Sequence, residues 1–110
     1  PGQGALAVET RADDPRTAVL ARLHDPAVAR GVQAERRLLQ LLEGGCHLPL
    51  GCSAHVDGGT IELVAVLGEV DEELTRARVV RATVSGASPE AVAQACHDAL
   101  RTAMPAEVHR

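Results

Sequence analysis

Asp57-Gly58-Gly59 stands between two alternating runs, and no other feature of the 110-residue chain narrows its fold so far. Before it, Cys52, Ala54 and Val56 alternate with Ser53, His55 and Asp57, the period of a half-buried strand. After it, Thr60 to Leu67 sets Ile61, Leu63, Ala65 and Leu67 on one face and Glu62, Val64 and Val66 on the other. Paired glycines supply the positive φ angles of a tight hairpin, so the two runs are predicted to lie antiparallel. A second connection around Gly68 to Glu73 leads to a third strand, Thr75 to Val84. Arginines at 76, 78 and 81 among its valines mark an edge strand, or one bulged at Val79-Val80, and leave its register open.

Helix signals flank this sheet. Asp14-Pro15 reads as an N-cap followed by proline at the first helical position, opening a brief helix through Thr17, Val19, Leu20 and Leu23. Asp25-Pro26 repeats the signal and breaks the chain at His24-Asp25, so a longer helix runs from Pro26 to about Leu42. Its expected apolar face is Val28, Val32, Leu38, Leu39 and Leu42, with Glu35, Arg36 and Arg37 in solvent and Gly31 marking a close backbone approach. Ser88-Pro89-Glu90 caps a last helix whose face is Val92, Ala95, Cys96, Ala99, Leu100 and Ala103, ending before Pro105. Near the start, Ala5 to Glu9 reads as a short buried strand in need of a partner sheet. The fold class is therefore α+β: a two-layer domain, helix-strand-strand-strand-helix, with two helices on one face of a three-stranded antiparallel sheet, preceded by a short strand and helix. The other sheet face is left as a docking surface.

Composition removes several kinds of function. There is no Phe, Tyr or Trp, so the core must be built from Leu, Val, Ile and Ala, and no aromatic platform exists for stacking bases. All 11 basic residues are arginine, which excludes Schiff-base lysine chemistry and a Walker-type phosphate loop within these residues. A net charge of −4 with interspersed signs argues against nucleic acid as a partner. No signal-peptide pattern and no long apolar run argue for membrane association, and three cysteines without a disulfide framework fit a reducing cytoplasm. The opening Pro1-Gly2-Gln3-Gly4, without an initiator methionine, points to a chain that begins inside a larger protein.

One stretch carries chemistry. Leu42-Glu43-Gly44-Gly45-Cys46-His47-Leu48-Pro49-Leu50-Gly51 puts a cysteine on a glycine-rich turn after an apolar helix. Gly44 and Gly45 permit positive φ and clear side chains from around Cys46, and Pro49 stiffens the exit. Two readings are open on this pattern alone: a helix cap with Cys46 as a small buried residue, or a short arm that presents a thiol.

Gly2-Gln3-Gly4-Ala5 running into Ala7-Val8-Glu9, Asp13-Asp14 before a helix, Ala34-Glu35-Arg36 and the Cys46 loop, in that order, resemble hydroxymethylbilane synthases, also called porphobilinogen deaminases. The resemblance implies a three-domain transferase of tetrapyrrole and haem biosynthesis, monomeric and cytoplasmic, of which this chain would be the C-terminal portion. Such enzymes join four porphobilinogen molecules into hydroxymethylbilane with release of ammonia. Residues 1–24 would then be a return segment, strand plus short helix, belonging to the first domain, and residues 25–110 the cofactor-attachment domain.

The same resemblance implies a dipyrromethane cofactor held through a thioether to Cys46, with Gly44 and Gly45 shaping the site, and a supporting contact to substrate in the cleft by Gln3 and Gly4. It implies no catalytic residue within this chain, since the catalytic aspartate and most carboxylate-binding arginines lie upstream, in the missing first and second domains. The portion alone is expected to be inactive and without cofactor.

His47 is expected to face solvent, Cys52 to pack beneath the loop, and His55, His97 and His109 to lie at the surface, as do the third-strand arginines. Two rival readings are a small α+β interaction domain without catalysis, and a metal-binding module of Cys46, Cys52 and His55 with His47 or Cys96. The C-x5-C-x2-H spacing of the latter matches no standard zinc pattern, so no metal is expected.

Overall fold

The computed structural model describes residue 2 and residues 4–42, 49–70 and 77–103. A brief helix α1 (Thr17–Leu20) runs into a turn of 3-10 helix (Ala21–Leu23), and then come α2 (Pro26–Leu42), β1 (Leu50–Asp57), β2 (Thr60–Val70), β3 (Ala77–Gly86) and α3 (Pro89–Ala103). The three strands form one antiparallel sheet in the order β1-β2-β3, with α2 and α3 packed together over one face.

The hairpin forms as its glycines require. Asp57 pairs with Thr60, and the two residues between them, Gly58 and Gly59, have φ of 57° and 87°, both in the left-handed region. Register then follows without interruption, Val56 against Ile61 and Leu50 against Leu67. The face Ile61, Leu63, Ala65 and Leu67 is fully buried on the central strand, each large side chain there contributing about 1.5–3 kcal/mol. Ala34, Leu38 and Leu42 of α2 and Val92, Ala93, Cys96 and Leu100 of α3 close the core from above.

Several expectations are corrected. β2 does not turn at Gly68; it continues to Val70, with Gly68 opposite Val79 and Glu69 opposite Arg78, because β3 is long enough to pair with it. β3 is an edge strand, as its arginines indicate, and spans Ala77–Gly86 with no bulge: the register from Ile61-Gly86 to Val70-Ala77 is unbroken. Val79 and Val80 simply point to opposite faces, Val79 exposed on the open side and Val80 half-buried under the helices. On α3, Ala93 takes the buried place expected of Ala95, and Ala95 and Ala103 are exposed, since the helix sits with Val92, Cys96 and Leu100 at the centre of its contact.

On α2 the buried stripe is Gly31, Ala34, Glu35, Leu38 and Leu42; Val28 is exposed and Val32 and Leu39 are half-buried. Small residues face the sheet and let the helix approach it, which displaces the valines to the flank. A Cβ on Gly31 would lie 3.4 Å from the Cβ of Ala54, so the close approach read from this glycine is real. Asp25 caps α2 as expected, its Oδ1 accepting from the Ala27 and Val28 amides at 3.0 and 3.3 Å. Asp14 does not cap α1: its Oδ1 accepts from the Arg16 amide at 2.8 Å in a turn before the helix, and its carboxylate pairs with the Arg16 guanidinium. Ser88 caps α3 through the Ala91 amide.

Residues 5–9 form no strand. Leu6 is 96% exposed and Val8 61% exposed, because none of the described strands runs beside them.

Candidate functional site

The Cys46 loop springs from two fixed stems. Leu42, the last residue of α2, is buried in the core, and Leu50, the first of β1, is half-buried and paired with Leu67. The Pro49 carbonyl accepts from the Gly68 amide at 2.9 Å, which carries the β1-β2 ladder one residue further toward the loop. Gly44, Gly45, Cys46 and His47 lie outside the described residues, as do Gln3 and His109, so the two readings of the loop are carried by its stems and by chemistry.

The two described thiols are both turned inward. Cys52 lies on the covered face of β1, half-buried against the core; burial and the nearby Glu35 carboxylate push its thiol above the ordinary value. Cys96 is fully buried on α3, and burial, with a lesser contribution from Cys52, pushes it up to about 11. Both are protonated at neutral pH and shielded, which disfavours either as a nucleophile.

The metal reading loses its geometry. Cys52 and His55 differ by an odd number of strand positions, so Cys52 faces the helices while His55 is exposed on the other side of the sheet. Among the described residues no three His, Cys, Asp or Glu side chains form a group able to hold a metal ion. His97 is not freely exposed but half-buried, its Nδ1 3.0 Å from Asp98, whose carboxyl is held below its usual range by this contact and by Gln94.

A feature missed in the sequence is Glu35. Expected in solvent, it is only 9% exposed, while Arg36 is exposed and Arg37 pairs with Glu90 across α2 and α3. Its Oε1 accepts from the Gly2 amide at 2.8 Å and its Oε2 from the Ala54 amide at 3.3 Å. Pro49 and Gly68 are a hydrogen-bonded pair in the hairpin register, so strand alternation turns the Ala54 N–H away from β2 toward the free edge. Glu35 satisfies that edge donor. The signal was present: Gly31, Glu35, Leu38 and Leu42 recur at helical spacing, and Glu35 falls within that stripe.

The turn at the chain's start rests on this carboxylate. The Ala5 amide donates to the Gly2 carbonyl at 3.1 Å, with Gly2 and Gly4 at φ of 73° and 83°. Gly4 and Ala5 line a cleft of about 320 Å³ with Val28, Gly31, Glu35 and Ala54. Gly2, Gly4 and Glu35 are thus brought together. The loop stem at Leu42 is seven residues further along α2, roughly 10 Å of helix rise away.

Among the described residues no helix is long and apolar enough to cross a membrane. Residues 29–102 match the family model described as porphobilinogen deaminase, C-terminal domain. The chain is similar to the porphobilinogen deaminase of Oceanobacillus iheyensis, 42% identical over 92 residues, covering 83% of this chain and 28% of that protein. It is 49% identical over 78 residues to that of Syntrophobacter fumaroxidans, covering 69% of this chain and 25% of the relative. With that of Geobacillus kaustophilus it shares 45% identity over 92 residues, covering 83% and 28%. The chain thus spans little more than a quarter of the length of these relatives.

Proposed function

The chain belongs to the porphobilinogen deaminase family, and from that membership we propose that it is the cofactor-attachment portion of a hydroxymethylbilane synthase. In this reading residues 1–24 return to a first domain, residues 25–110 form the third, and the whole protein is a cytoplasmic monomer that joins four porphobilinogen molecules with loss of ammonia. The observation that carries it is the match of the C-terminal domain model across α2, the sheet and α3, the frame that holds both stems of the Cys46 loop.

Cys46 is the anchor in this proposal. Cys52 and Cys96 are inward and protonated, which leaves Cys46 as the thiol for a covalent group. Attachment of the first ring would take one reaction, in which an aminomethylpyrrole loses ammonia as its C–N bond breaks, the Cys46 sulfur forms a C–S bond to the methylene carbon and the thiol proton leaves with the amine; a second unit, losing its own ammonia with the proton of the first ring's free α-carbon, would complete the dipyrromethane. A thioether is stable to water, so the anchor need form only once. When bound, the dipyrromethane supplies the pyrrole end to which substrate units add. Gly44 and Gly45 keep side chains clear of the sulfur, and Gln3 and Gly4 serve as a substrate contact from the lead-in.

The test is the intact mass of the full-length protein, with Ehrlich's reagent as a companion. A dipyrrole adduct that maps to Cys46 and disappears in Cys46→Ser supports the reading; an unmodified and fully active protein contradicts it.

A further inference from the structure

A carboxylate taken from water is costly unless hydrogen bonds or charges compensate it. Glu35 is so placed, and its described partners are both backbone amides: Gly2 in the lead-in and Ala54 on the free edge of β1. The two amides are 52 positions apart (54 − 2), and the carboxylate between them stands on a third element, α2. Hydrogen bonds to an ionised acceptor are shorter and stronger than neutral ones. Among the described residues beyond its turn, Leu6 and Val8 are exposed, and Gly4 would set a Cβ in open space.

We propose that Glu35 is a positioning residue, which pins the turn between Gly2 and Ala5 to the domain that carries Cys46 and so fixes the lead-in over the cleft beside α2. The pin acts on geometry, not on the attachment chemistry, because Glu35 stands about 10 Å along α2 from the loop stem. The proposal rests on the reading of the chain as part of a deaminase in which Gln3 meets substrate. In that setting the pin sets how well substrate is held, without touching how the cofactor is attached.

The experiment uses the full-length enzyme with Glu35→Gln, Glu35→Asp and Gln3→Ala, and the Glu35→Gln/Gln3→Ala pair, measuring cofactor mass, kcat and KM for porphobilinogen. In Glu35→Gln the new side-chain amide keeps the size of the carboxylate but turns a donor toward one of the two N–H groups; in Glu35→Asp the charge stays but the shorter side chain cannot span both amides. Expected are full cofactor loading, kcat within roughly twofold, and KM raised about tenfold in Glu35→Gln and in Glu35→Asp. In the Gln3→Ala background Glu35→Gln should add nothing to KM. Unchanged KM in the loaded variants, independent effects in the pair, or equal loss of cofactor and activity would each overturn the proposal; if Glu35→Gln does not fold, Glu35→Asp decides. The wild-type adduct mass reports separately on the deaminase reading.

Discussion

Gly31 of α2 faces Ala54 of β1 so closely that a Cβ on the glycine would stand 3.4 Å from the alanine Cβ, with Val56 Cγ2 at 3.6 Å. One methyl group therefore just fits. Gly31→Ala should gain about 1 kcal/mol of helix propensity and lose little of it to contact, raising the urea midpoint of the chain. Gly31→Leu should lower stability by about 1–3 kcal/mol, since the helix would have to lift from the sheet. A destabilised alanine variant would mean that the contact is tighter than described.

Gly86 is the opposite case. A Cβ there would lie 2.8 Å from Cγ2 of Val92, a buried and β-branched side chain with little room to turn. Gly86→Ala is expected to cost about 1–3 kcal/mol. Truncating the obstacle should relieve it: the loss in Gly86→Ala/Val92→Ala should be smaller than the sum of the two single losses, a coupling that denaturant unfolding of all four proteins measures.

These glycines show what the sequence made readable and what it did not. Alternation from Ile61 to Leu67 and the paired glycines after Asp57 are local signals, and the hairpin and its buried face follow them. Apolar helical spacing puts Val28, Val32, Leu38, Leu39 and Leu42 on one face of α2; Leu38 and Leu42 are buried, whereas in the first half contact with the sheet selects the small Gly31 and Ala34. The charge of Glu35 alone places it at the surface; its partners are a strand edge and a turn far away in the chain. Ala5 to Glu9 has strand-like residues, but a strand exists only beside a partner, and Leu6 and Val8 stand exposed. Of the proposed site, the stems at Leu42 and Leu50 are fixed by core periodicity, while the role of Cys46 came from resemblance and not from pattern.

Alkaline pH should weaken the fold through the thiols. With its pKa raised from 9.0 to about 11 by burial, Cys96 keeps its proton in the folded chain when the unfolded chain has lost it. The folded state then binds more protons, so stability is full below pH 9 and falls as pH rises toward 11, by about 2 kcal/mol. The chain contains no Lys or Tyr to titrate in that window. Urea unfolding at pH 8 and pH 10.5 should show the drop, and Cys96→Ala should shrink it; an unchanged drop in that variant would assign it elsewhere.

Thiol reactivity should follow the proposed role of Cys46 and the burial of Cys52 and Cys96. In native protein free of cofactor, iodoacetamide should reach Cys46 first and Cys52 more slowly, and Cys96 only after unfolding. Alkylation of Cys96 in the native protein ahead of Cys46 would contradict this order.

The attachment of a pyrrole group at Cys46 is the claim on which the functional account stands, and the intact mass of the full-length protein, before and after Cys46→Ser, tests it most directly. The account predicts a dipyrromethane adduct on the wild type, located at Cys46 by peptide mapping, absent from the serine variant together with activity. A wild-type protein of unmodified mass that still makes hydroxymethylbilane, or a serine variant that keeps the adduct, would contradict it.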